Sequence, residues 1–139
     1  MSFRSWDDRA PEVHAFVLCD WANQTGDGKT NLIGIFDRIL VSALPTPSPS
    51  FFVYARVLRG PVGELTITII DPSNNEVGSI GTEWEKPFGP DEPGFVSFIG
   101  RMRFQVEQAG VFRFRAHSEA RQLAEMPLVV ELRQAEGSR

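Results

Sequence analysis

Nucleophilic chemistry in this chain would have to draw on two histidines, His14 and His117, and a single cysteine, Cys19. A hydroxyl or thiol nucleophile needs a base within hydrogen-bond reach and a third group to orient that base. His14 opens an apolar run, and His117 closes an arginine-bearing one. Cys19 lies in Phe16-Val17-Leu18-Cys19, an environment in which a thiol behaves as a small inert hydrophobe. No Gly-x-Ser-x-Gly elbow occurs. The expectation is a protein that is not an enzyme and needs no cofactor.

Metal and phosphate chemistry would require particular ligand spacings. Asn23-x-Thr25-x-Asp27-Gly28 has the form of the first half of a calcium loop, but Gly34 occupies the place of the closing bidentate glutamate. The same residues fit a hairpin turn, with Asp27-Gly28 at its positive-φ positions. Asp20, Asp37 and Asp71 form a second calcium candidate if the fold gathers them at one sheet end. Gly26-Asp27-Gly28-Lys29 lacks the spacing and the following helix of a phosphate loop.

Two binding surfaces remain. Trp84, Glu85, Phe88 and Asp91, with Glu83, Glu92 and Phe95 beside them, combine aromatic and acidic side chains in a way suited to a sugar or a basic peptide. The alternative is that Trp84 and Phe88 pin their loop to the core, the commoner fate of an aromatic. The second surface is an arginine face. On a paired 95–106 and 111–117, Arg101, Arg103, Arg113, Arg115 and His117 all point outward. Placing Val106 opposite Phe112 sets Arg103 against Arg115, Gln105 against Arg113 and Arg101 against His117. Like charges directly opposed are unfavourable, so Glu131, another acidic strand or an external partner must compensate. The face is then either solvated and laced with glutamate, or a docking surface for an acidic protein or anion.

The elements that would position these residues are strands. Alternation or apolar runs mark 13–21, 30–41, 51–59, 64–71, 77–84, 95–106, 111–117 and a last strand through Leu128, Val130 and Leu132. In 13–21 both parities are apolar, as in a strand covered on both sides. In 30–41, Ile33, Ile35, Ile39 and Val41 share one parity, interrupted by Asp37, and Gly34 with Asp37-Arg38 marks a bulge or edge. Pro45, Pro47 and Pro49 exclude a central strand and imply a crossing between sheets or an extended edge. Residues 118–126 suit a turn or a single helical turn. The architecture expected is an all-β, two-layer antiparallel β-sandwich of about eight strands, with immunoglobulin-like or related topology. A flexible arm at 1–12 and a polar tail at 134–139 flank a domain at 13–133.

With 139 residues, one domain is expected, and a net charge of −4 argues against nucleic acid or anionic membrane as partner. The lone cysteine excludes an internal disulfide, and no run approaches the roughly 20 apolar residues of a membrane span. A cytoplasmic location is the simplest expectation.

The opening hairpin reads Leu18-Cys19-Asp20, then Gly28-Lys29, then Leu32-Ile33-Gly34-Ile35-Phe36, followed by the proline-rich crossing and Val53-Tyr54-Ala55-Arg56. Over residues 13–132 this resembles a widespread bacterial family of small proteins of unknown function with one β-sandwich domain. The resemblance implies a sandwich and no reaction, and carries over no functional residue. The closing segment around Gly110-Val111-Phe112-Arg113-Phe114 is similar to the final hairpin of many immunoglobulin-like sandwiches. Together these readings lead to a non-enzymatic protein-interaction or assembly module, working through a protein partner or self-association. The alternative expectation is a sandwich that binds carbohydrate or calcium.

Overall fold

The expected runs are all strand in the computed structural model, two of them divided, and the structure describes residues 11–59, 62–85, 94–119 and 121–133. Among these residues the strands are β1 (Glu12–Gln24), β2 (Thr30–Phe36), β3 (Arg38–Val41), β4 (Thr46–Pro47), β5 (Phe51–Arg59), β6 (Val62–Ile70), β7 (Glu76–Glu85), β8 (Gly94–Met102), β9 (Gln105–Val106), β10 (Gly110–Ser118) and β11 (Arg121–Leu132). No helix in them is long and apolar enough to cross a membrane. Most of the expected arm, including Trp6, and the tail at 134–139 lie outside the described residues.

Two sheets form the sandwich. One has the order β2-β1-β5-β8 and the other β3-β11-β10-β6-β7, while β4 and β9 form a small separate pair. The inward residues interdigitate between the sheets: Leu18, Phe51, Val53, Ala55 and Val57 from the first, and Leu65, Ile67, Ile69, Phe112, Phe114, Leu128 and Val130 from the second. With β5 and β8 facing β6, β10 and β11, the arrangement is immunoglobulin-like. One pairing departs from the expected antiparallel pattern, since β3 lies parallel to β11.

Three expected elements are corrected. The run at 30–41 is two strands in different sheets. β2 pairs with β1, the chain leaves the first sheet at Asp37, and β3 joins β11. The Asp37 carbonyl accepts the Val129 amide at 2.9 Å, which holds the crossing. The run at 95–106 also divides: β8 pairs with β5, and after Met102 the chain crosses to pair β9 with β4. Residues 121–126, expected as turn or helix, are the first half of a twelve-residue strand paired with β10.

The proline-rich crossing is held by one buried hydroxyl. Ser48 Oγ accepts the Phe104 amide at 3.0 Å and donates to the Pro49 carbonyl at 3.0 Å, and the Ser48 amide donates to the Phe104 carbonyl at 2.8 Å. Ser48 is 1% exposed, so the Phe104 amide has no water to turn to. Ser48→Ala is therefore expected to cost about 2 kcal/mol in urea unfolding, the penalty of a buried donor left unsatisfied. Ser48→Thr, which keeps the oxygen, is expected to recover most of it.

Candidate functional site

The arginines come apart when the strands are placed. β8 and β10 belong to different sheets, so Arg101 does not face His117, and Arg103 does not face Arg115. Arg101 Nε donates to Ser50 Oγ at 2.9 Å on the first sheet, and Arg103 Nε donates to the Ser48 carbonyl at 3.2 Å in the crossing. Arg113 and Arg115 do share the outward face of the second sheet, but Glu125 lies between them at 3.6 and 3.4 Å. Arg113 also donates to Asn74 Oδ1. His117 Nε2 meets Thr68 Oγ1 at 2.9 Å. The compensating carboxylate is Glu125, on the stretch of β11 that was expected to be a turn. Glu131 pairs instead with Arg38, at 3.1 Å. Each of the five expected surface residues thus has a partner within the domain.

The expected ligand loop is only partly visible. Phe88, Asp91 and the side chain of Glu85 lie outside the described residues. Trp84 packs against the core from β7. The calcium candidates do not assemble: among the described residues no three of His, Cys, Asp and Glu are grouped to hold a metal ion. The Asp27 carboxylate bonds the Thr25 hydroxyl inside the turn, which lowers its pKa, and Gly28 takes φ +85° there. Asp71 Oδ1 accepts the Asn75 amide at 2.8 Å, as a turn cap.

A different surface stands out, on the first sheet's outward face. Strand register sets Ile35 beside Cys19, Cys19 beside Phe52 and Phe52 beside Arg101, in a row across all strands of that sheet. Ile33 lies beside Trp21, and Val17, Tyr54 and Ile99 form a further row. Outward positions of a sandwich are ordinarily polar, yet these rows are almost wholly apolar. Ile33 is 61%, Ile35 62% and Trp21 52% exposed. Trp21 stands edge-on to Phe52 at 5.3 Å, and Arg56 lies over the Phe95 ring at 4.1 Å. Cys19 is fully buried in the middle of its row, and that burial raises the thiol pKa, with the Asp20 charge adding to it.

These residues were not singled out in advance, although a signal was present. Both parities of 13–21 are apolar, which is the mark of a strand that expects cover on both sides. Beside Ile35 an open cleft of about 350 Å³ runs between the end of β2 and β11, lined by Val17, Phe36, Asp37, Met126 and Pro127.

Fold and surface together define an immunoglobulin-like sandwich with one apolar outward sheet face and a nearby open edge. The chain belongs to DUF6941, a family of unknown function, whose model matches residues 14–131. Among solved structures it is similar to an immunoglobulin-like protein from Pseudomonas aeruginosa, with 12% identity and a TM-score of 0.43 over 88% of this chain and 98% of that one. No curated protein matches it. The expectation of an uncharacterised β-domain family is borne out at that level.

Proposed function

We propose that this domain is a non-enzymatic protein-interaction module that works through the apolar outward face of its four-stranded sheet. The observation that carries the reading is the cluster of Trp21, Ile33 and Ile35, each more than half exposed on adjoining strands. Contiguous exposed apolar area of this kind marks surfaces that another protein covers. The charged residues are placed differently: Arg113 and Arg115 share the single Glu125 carboxylate, so their charge is halved and both side chains are already held within the domain.

A photo-crosslinking amino acid installed at Ile35, in the cells that make the protein, tests the reading. Val111 is the control, being 51% exposed but on the other sheet. Crosslinks to protein are expected from position 35 and only weakly from position 111. Equal yields at the two positions, or none at position 35, would overturn the proposal.

A further inference from the structure

We infer that the partner is a second copy of this chain, added strand to strand along β2 about a twofold axis through Ile33. This rests on the reading above and names its partner. A free sheet edge is a row of unpaired amide and carbonyl groups, which folded proteins blunt with charge, shortness or cover. Among the described residues the sandwich has four edge strands. β3 is only four residues long and carries Arg38. β7 carries Glu76 and Glu83 and is interrupted by Gly78 and Gly81. β8 carries Arg101, and its Gly100 closes tightly on Ile80 of β7. β2, Thr30-Asn31-Leu32-Ile33-Gly34-Ile35-Phe36, has no charge at all and exposes both outward isoleucines, and although Gly34 takes φ +72° the strand keeps one register with β1 on either side of it.

The flanking charges select the occupant and the register. When β2 pairs antiparallel with itself about Ile33, Asn31 of one copy faces Ile35 of the other, and Thr30 faces Phe36. One step past the strand ends, the same register brings Lys29, at the hairpin turn, alongside Asp37, where the chain turns to the second sheet. The twofold repeats this contact, so two opposite-charge pairs close the ends of an uncharged centre. Both side chains are available. Among the described residues the Lys29 ammonium pairs with Asp27 alone, at 3.4 Å on an open surface, and Asp37 makes no ion pair. An isologous contact requires a patch complementary to itself, and this edge meets that condition. Pairing also sets the Ile33, Ile35 and Trp21 side chains of both copies in one continuous face. Two seven-residue edges and those side chains bury roughly 1,000 Å², the low end for a specific interface, so a dissociation constant around 1–100 μM is expected.

Sedimentation equilibrium of the full chain, from about 1 to 300 μM, tests the inference. The mass is expected to rise from monomer to dimer. Ile33→Lys places a charge on the axis and should leave a folded monomer throughout. Lys29→Glu, an exposed change that does not threaten folding, should weaken association about tenfold, and Lys29→Glu with Asp37→Lys should restore it. In a Cys19→Ala background, Ile33→Cys should oxidise to a disulfide-linked dimer, since paired strands bring axial Cα atoms within about 5.5 Å. A wild-type chain that stays monomeric overturns the second-copy partner. Crosslinks from Ile35 to a different protein would then leave the interaction reading standing, whereas no crosslinks at all would remove both. A dimer indifferent to Ile33→Lys and to the charge swap overturns the β2 edge, and failure of the disulfide in an otherwise sensitive dimer overturns the register.

Discussion

Phe114→Ala is expected to lower the unfolding free energy by about 4 kcal/mol, the upper range for a core phenylalanine. Phe114 is fully buried and stands edge-on to Phe51 at 5.9 Å and to Phe104 at 6.3 Å. Those rings come from three different places: β10 in one sheet, β5 in the other, and the crossing between β8 and β9. Phe51 also meets Phe36 at 5.9 Å, at the end of β2. Removing the Phe114 ring therefore opens a cavity that no single strand can close by sliding, and both the transfer and the cavity contributions are lost. Aromatic pairs add on the order of 1 kcal/mol beyond the buried area. In thermal unfolding at one fixed protein concentration the midpoint should fall by about 10–15 °C. Phe114→Leu, which keeps most of the volume, should cost no more than about 1.5 kcal/mol. An alanine variant within about 1 kcal/mol of the parent would show that the aromatic cluster is not what joins the sheets.

The same cluster shows what could be read from the residues and what could not. Alternation with the outward Arg103, Arg113 and Arg115 puts Phe104, Phe112 and Phe114 inward, and all three are buried. The expected pairing of 95–106 with 111–117 failed because both sheets of a sandwich turn their inward residues to the same core. Two strands can each point phenylalanines at one core from opposite sides, and period-two alternation is blind to which side. Glu107-Gln108-Ala109 has the look of a hairpin turn, but it joins β9, in the small pair with β4, to β10 of the second sheet. The arginine face followed from that pairing and dissolved with it.

The β2 region failed for a related reason. Ile33, Ile35, Ile39 and Val41 share a parity, and one uninterrupted strand would have buried them together. Asp37 ends that strand, so Val41 reaches the core while Ile33 and Ile35 stay outside. Their exposure depends on a change of sheet, which only long-range pairing with β11 decides. The apolar double parity of β1 pointed to the apolar outward face without naming its neighbours.

Gly34→Val should detach β2 and, with it, self-association. Gly34 has φ +72°, a conformation open to glycine but strained for a β-branched residue, and its missing Cβ leaves the space that the Asp20 carboxylate fills. The backbone strain and the collision with Asp20 together are expected to cost about 3 kcal/mol. β2 is an edge strand whose outward side chains lie in solvent, so its hold on β1 is weaker than that penalty. The molecule is expected to relieve the strain locally, by releasing β2, while the sandwich behind it stays folded. Hydrogen exchange should therefore lose protection across 30–36 and in the facing residues 18–24 of β1, with β6, β10 and β11 unchanged. Dimer formation should disappear in the same variant. Asp20→Ala separates the two causes, because it removes the collision and leaves the φ strain. Combined with Gly34→Ala it should recover about 1 kcal/mol of coupling, and with that recovery the protection of β2. A Gly34→Val chain that keeps β2 protected and still dimerises would show that the edge tolerates a side chain there, and that the glycine is not what shapes it.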